Sequence, residues 1–220
     1  MNGNQSAWTD QLDQLIQQKH MLLSPFYRAW TEGRLTKEQL TSYAQEYYHH
    51  VKAFPTYLSA LHSRCDDMDM RKALLQNLMD EEAGTPNHPD LWKSFLLALG
   101  VSQTEIDSHD PKKETEDLIR LFKESCSSQP LAFGVASLYS YESQIPSICQ
   151  TKIEGLKQWY GIKDPEQYRY FSVHEVADVE HSQTEKDILK ALVAPHHEKE
   201  TLQHADKVLN SLNVFLNSFL

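Results

Sequence analysis

The chain has few residues that turn a backbone. Seven glycines and nine prolines are spread over 220 residues, and no Asn-Gly or Asp-Gly pair stands between alternating strands. β-Hairpins rely on such pairs, so their absence points to an all-α protein. Cysteine is scarce as well: Cys65, Cys126 and Cys149 are odd in number and far apart. They exclude a disulfide framework and a CxxC redox or zinc site. No run is long enough to span a membrane. The N-terminal M-N-G-N-Q-S-A-W-T-D lacks the basic-then-apolar order of a secretory signal. A formal net charge of −10 argues against nucleic acid or an anionic membrane as partner. These absences predict a cytoplasmic helical protein, with residues 1–220 forming one domain.

What is present is helical periodicity. A first helix is expected over 8–23, with Leu12, Leu15 and Ile16 as its apolar stripe. Thr36-Lys-Glu-Gln39 and Ser102-Gln-Thr-Glu105 read as capping boxes. The first box starts a long helix with Tyr43, Tyr47, Val51, Phe54, Leu58 and Leu61 at helical spacing, kinked at Pro55. Helices follow from near Met70, over 90–99 and over 115–126. Pro130 begins the most apolar helix, which carries Glu142 and is expected to continue past Pro146 towards Tyr160. Asp164-Pro165-Glu166 starts the next one, and a last amphipathic helix covers 199–220.

Six side chains with metal-ligand chemistry are spaced so that helices could aim them at one point. They are the carboxylates Glu81, Glu142 and Asp178 and the imidazoles His88, His174 and His181. In H-E-V-A-D-V-E-H, His174, Asp178 and His181 stand at i, i+4 and i+7 and share one helix face, with Glu175 and Glu180 off it. A solvated polar face would show the same pattern. Glu142 says more, because a lone carboxylate in an apolar helix costs several kcal/mol unless it is paired, neutral or bound to a cation. Glu81 and His88 are seven residues apart, which on a straight helix separates them by about 10 Å. Gly84 and Pro86 fall between them, and a broken turn there would bring both into reach. Three carboxylates and three imidazoles suit two divalent first-row metals.

A second arrangement competes. Glu46-Tyr-Tyr-His49 and Asp178-Val-Glu-His181 are E-x-x-H and D-x-x-H motifs, and with Glu81 and Glu142 they would make a ferritin-like di-iron bundle. His50 reads as a core or supporting group, and His109, His196, His197 and His204 read as exposed. Tyr27, Tyr43, Tyr47, Tyr48, Tyr57, Tyr139 and Tyr141 fall in predicted core helices, where packing accounts for them. Next to an oxidising metal pair a phenol is also a source of one electron and a proton. By position alone Lys152 is a surface lysine.

Four stretches together resemble the heme-oxygenase-like dinuclear metal oxygenases: Y-S-Y-E-S-Q-I-P, A-F-P-x-Y-L-S-A-L-H-S-R-C-D-D, N-L-M-D-E-E-x-G-x-P-N-H and H-E-V-A-D-V-E-H. The likeness runs over nearly the whole chain. It implies a seven-helix fold shared with TenA-type thiaminases and the oxidases of PQQ synthesis. It implies that Glu81, His88, Glu142, His174, Asp178 and His181 ligate an Fe/Fe or Mn/Fe pair, with O2 and an external reductant as co-substrates. It further implies a product, para-aminobenzoate for folate synthesis, made from Tyr27 of the protein itself with Lys152 as amine donor and Tyr43 assisting. TenA-type chemistry would need a cysteine near Ala136-Ser137, where this chain has none. The resemblance also implies a homodimer. One branch of the family is named for association with host death domains. That makes an interaction module modulating apoptosis the alternative function, and export to the host cell the alternative address.

Overall fold

Eleven α-helical segments follow one another in the computed structural model, which describes residues 5–220. They are α1 (Gln5–Gln18), α2 (Pro25–Thr31), α3 (Lys37–Arg64), α4 (Met68–Glu82), α5 (His88–Ala98), α6 (Gln103–Ser108), α7 (Lys113–Ser127), α8 (Leu131–Glu142), α9 (Ile145–Gln158), α10 (Arg169–Leu192) and α11 (Glu198–Asn217), with three short 3-10 turns between. The described residues contain no strand. Residues 1–4, part of the stretch read for a secretory signal, lie outside the described residues. No described helix is long and apolar enough to cross a membrane.

The expected count of seven helices is too low, and backbone chemistry explains part of the difference. The helix that starts after Pro130 does not continue past Pro146. Pro146 has no N–H to donate to the carbonyl of Glu142, four residues back. The helix therefore ends at Glu142, and α9 begins afresh at Ile145. Pro55, in contrast, sits inside an unbroken α3. Both capping boxes form: the Thr36 hydroxyl accepts from the Gln39 N–H while the Thr36 N–H donates to the Gln39 side chain. Ser102 and Glu105 repeat the exchange at the start of α6. Gly100 and Gly161 stop α5 and α9 with φ of 89° and 74°, a region that favours glycine.

α3 packs on α4, α5 and α7; α10 packs on α5, α8 and α9; α11 closes against α7 and α8. The interior is strongly aromatic. Trp8, Trp30, Trp92, Tyr43, Phe95 and Phe122 are all buried to within 1%, and each contributes on the order of 2 kcal/mol by leaving water. α2 lies against α9, and the close approach depends on Gly155, where a Cβ would run into the Trp30 ring. This contact helps to seat Tyr27 on α2 beside Lys152 on α9.

Candidate metal centre

His174, Asp178 and His181 project from one face of α10 and are all buried, whereas Glu175 and Glu180 face solvent. Opposite them, α8 delivers Glu142 from its last turn, 1% exposed. Glu81 is in the last turn of α4 and His88 opens α5. The Asn87 side chain caps α5 by accepting from the Asp90 N–H at 2.9 Å. The helix therefore breaks between Glu81 and His88, and His88 Nδ1 comes within 3.0 Å of Glu81 Oε2.

The six predicted side chains form two triads, Glu81–His88–His174 and Glu142–Asp178–His181, each with donor atoms within 4.8 Å of one another. In the first, His174 Nε2 is 3.5 Å from Glu81 Oε1. In the second, His181 Nδ1 is 3.4 Å from Asp178 Oδ1 and 3.6 Å from Glu142 Oε1. Two ligands about 2.1 Å from a shared ion at right angles would stand about 3 Å apart. His88 Nδ1, His181 Nδ1, Glu142 Oε2 and Asp178 Oδ2 are buried without a hydrogen-bond partner. Such orphans are costly in a dry interior, and a cation would satisfy them. The donor set therefore has the capacity for two metal ions.

The imidazoles are held in place from behind. His174 Nδ1–H donates to the Tyr170 carbonyl at 2.8 Å, leaving Nε2 for the site. His181 Nε2 meets Asp80 Oδ2 at 3.0 Å, leaving Nδ1 for the site. Each outer hydrogen bond fixes ring orientation. Asn77 Nδ2 donates to Glu142 Oε1 at 3.0 Å.

The buried charges balance one another. Burial opposes ionisation of Glu81, yet the His174 and His88 imidazoles beside it hold its carboxyl down at about 2. Burial also opposes a charge on His181, and Asp178, Glu142 and Asp80 lift it to about 11. His174 is lifted against burial to about 8 by Asp178 and Glu81. Burial raises Asp178 to about 6, with His174 and His181 pulling the other way. Metal ligands must be neutral imidazoles, so cation binding here releases protons.

Beyond the triads the interior turns aromatic. A cavity of about 10 Å³ is lined by Glu81, Glu142, His174 and Asp178 on one side and Tyr141, Tyr170 and Phe54 on the other. The Tyr141 and Tyr47 hydroxyls are hydrogen-bonded. Tyr47 and Tyr43 rings follow at 5.5 Å between centroids, and the Tyr27 and Tyr43 phenols are close enough to shift one another's ionisation. Lys152 is 2% exposed, which corrects its reading as a surface lysine. Its Nζ donates to Tyr43 Oη at 2.6 Å and lies 5.9 Å from the Tyr27 ring centroid. Among the described residues no carboxylate pairs with it. Burial lowers its pKa from 10.5 to about 7, with Cys149 pulling the other way. Burial raises the phenols of Tyr27 and Tyr43.

The ferritin-like arrangement is not assembled. Glu46 is fully buried but turned to the start of α7, where it accepts from the Thr115 hydroxyl and from the Lys112 N–H at 3.0 Å, and meets His109 at 2.9 Å. His109 is thus half-buried, not exposed, because it helps hold that carboxylate. His204 is buried too: Nε2 contacts the Ser125 and Ser137 hydroxyls at 2.8 and 3.2 Å, and its ring stacks on Phe133. His196 and His197 are exposed as expected. The sequence reading passed over Asn77, Asp80 and Glu185. Glu185 is 3% exposed with neither carboxylate oxygen hydrogen-bonded.

The profile of iron-containing redox enzymes matches residues 41–213. The chain is 53% identical over 211 residues to the 4-aminobenzoate synthase of Chlamydia muridarum, spanning 96% of this chain and 89% of that protein. It superposes on a TenA homolog from Pseudomonas syringae pv. tomato with a TM-score of 0.85 at 19% identity, covering 97% of this chain and 92% of that one. A domain with a heme-oxygenase-like fold from Shewanella denitrificans gives a TM-score of 0.77 at 16% identity, covering 97% and 89%. The two structures establish a heme-oxygenase-like fold. With the profile match and the near full-length likeness to a relative, the chain belongs to the family of iron-containing redox enzymes.

Proposed function

We propose that this chain is a dinuclear metal oxygenase that makes 4-aminobenzoate, a folate precursor, from its own Tyr27 with Lys152 as amine donor. The 53% identity to a 4-aminobenzoate synthase supports the product. Glu81, His88 and His174 would hold one ion and Glu142, Asp178 and His181 the other, a donor set suited to an Fe/Fe or Mn/Fe pair. When bound, the pair would supply reductive activation of O2, with electrons from an external reductant.

The observation that carries the choice of Tyr27 and Lys152 is the buried amine itself. Lys152 has no counter-charge, touches Tyr43 and faces the Tyr27 ring. With a pKa of about 7 it is half neutral near that pH, and only the neutral amine attacks carbon. Tyrosine and the product each carry a carbon substituent para to a heteroatom. The two are related by replacing the phenol oxygen, lost as water, with the Lys152 nitrogen, whose bond to the lysine carbon breaks, and by cleaving Cα–Cβ and oxidising the β-carbon to the carboxylate with O2 as oxidant. The cavity of about 10 Å³ beside the triads admits roughly one water-sized molecule. A free aromatic substrate does not fit there. Tyr141 and Tyr47, hydrogen-bonded through their hydroxyls, and Tyr43, whose ring is tilted against Tyr47, lead from that cavity towards Tyr27 and can pass an electron and a proton. Tyr43 assists, or replaces Tyr27 when that ring is missing. Each chain is consumed as it reacts.

Mass spectrometry after aerobic reaction with iron and reductant tests the reading. Mass loss at Tyr27 and a missing amine at Lys152 are expected. An unchanged mass at Tyr27 while 4-aminobenzoate accumulates rules the sacrificial route out. One domain over 1–220, a cytoplasmic address and a homodimer belong to the same proposal, the last measured by light scattering. A death-domain interaction would be separate in kind: alanine at His174 and Asp178 should abolish the chemistry and leave such binding intact.

A further inference from the structure

We infer that the cleft between α4 and α10 is the port by which divalent cations reach the dinuclear site, with Asp80, Asn77 and Glu185 as transit ligands. The inference rests on the metal-site reading above. The cleft encloses about 270 Å³, and His181 forms part of its wall. The imidazole separates port from centre: Nε2 meets Asp80 on the cleft wall, while Nδ1 faces Glu142 and Asp178.

Three features give the cleft its selectivity. Its lining includes the carboxylates Asp80, Glu180 and Glu185 and contains no lysine or arginine. The carboxylates Asp80 and Glu180 at its mouth raise the local concentration of cations. The carboxylates are also graded in depth, since the Asp80 side chain is 40% exposed and Glu185 is 3% exposed. At the deep end, Asn77 Oδ1 and both Glu185 oxygens are buried and make no hydrogen bond. Three unsatisfied oxygens, one from α4 and two from α10, are hard donors of the kind that divalent cations take. Asn77 is already bonded to Glu142 through its nitrogen, so an ion held there is one step from the second triad. On the other side the centre is closed by the apolar and aromatic side chains Val51, Phe54, Tyr141 and Tyr170.

Metal-free protein mixed anaerobically with Mn(II) provides the test, with the EPR signal of the free ion as readout. The wild-type chain is expected to take up two ions. Glu185→Gln keeps the side-chain volume and replaces an ionisable two-oxygen donor with an amide; Ala73→Phe fills the cleft without touching a carboxylate. Each should slow uptake by about tenfold or more and still reach two ions at the end. Glu200→Gln, on a different cavity, should load at the wild-type rate. Wild-type rates in both cleft variants would overturn the port. One ion lost from Glu185→Gln at an unchanged rate would also overturn it, making Glu185 a resident ligand. A wild-type chain that takes up no Mn(II) would instead sink the metal-site reading itself. Should one cleft variant fail to fold by circular dichroism, the other carries the test.

Discussion

Glu81 and Lys152 are buried alike, at 3% and 2% exposure, yet one keeps its charge and the other sheds it. Around Glu81 every buried charge has an opposite: His88 and His174 face its carboxylate, and His181 faces Asp178 and Glu142. Around Lys152 there are rings, with Tyr43, Tyr47, Trp92 and Phe171 all within 5.4 Å of the ammonium nitrogen by centroid. Cation–π contact recovers part of the lost hydration, and desolvation outweighs it. The same interior thus favours ionised groups at one end and a neutral amine at the other. Local composition decides, since depth is equal.

The comparison can be broken most sharply at the ionised end. Replacing His174 or Asp178 with alanine should reduce 4-aminobenzoate to background and lower bound metal below two ions per chain by elemental analysis. Removing the metal from wild-type protein is the next largest change. An ion present at about 1,000 times its Kd adds about 4 kcal/mol to stability, so chelation should lower Tm by on the order of 10 °C. Identical melting curves with and without chelator would deny that these charges need a cation.

At the neutral end the lever is pH. Folding lowers the Lys152 pKa from 10.5 to about 7, so between those values the unfolded chain binds more protons. The Lys152 contribution to stability should therefore rise with pH from about 7 to about 10.5 and be lowest below that window, where both states carry the proton; His181, lifted to about 11, contributes in the opposite sense in metal-free protein, so the slope is read as the difference between wild type and a Lys152 variant. Lys152→Met should flatten this slope and, at pH 7, raise stability by roughly 3 kcal/mol in urea titrations. A variant less stable than wild type at pH 7 would mean that the amine is held charged. The smallest effect on function is expected at Glu46. Glu46→Ala should cost about 2–3 kcal/mol by stranding Thr115, Lys112 N–H and His109, and leave product formation intact below its melting temperature. Loss of activity there would revive the ferritin-like arrangement.

Much of this was legible before any coordinates. Two capping boxes marked the starts of α3 and α6, because a cap is a local hydrogen-bond exchange. The shared buried face of His174, Asp178 and His181 on α10 was legible because i, i+4 and i+7 is a property of every helix. Glu142 was legible because an acid in an apolar run has to be explained. The break after Glu142 was missed: the apolar pattern continues across it, and the missing Pro146 N–H was outweighed by that pattern. Lys152 and His204 were misplaced although a signal existed. Lys152 is flanked by Ile148 and Leu156 at i−4 and i+4, and His204 leads Val208 and Leu212, so both lie on buried stripes. Asn77, Asp80 and Glu185 had no such signal. Their role comes from two helices meeting, and no spacing within one helix encodes it.

The tightness of the space beside the two triads has a consequence for control. A diatomic gas can enter a void of about 10 Å³, and a benzoate cannot. An aromatic inhibitor could occupy that space only if the surrounding side chains moved. Under the proposed sacrificial route, output would be throttled upstream, by how many copies a ribosome makes and how quickly each is armed.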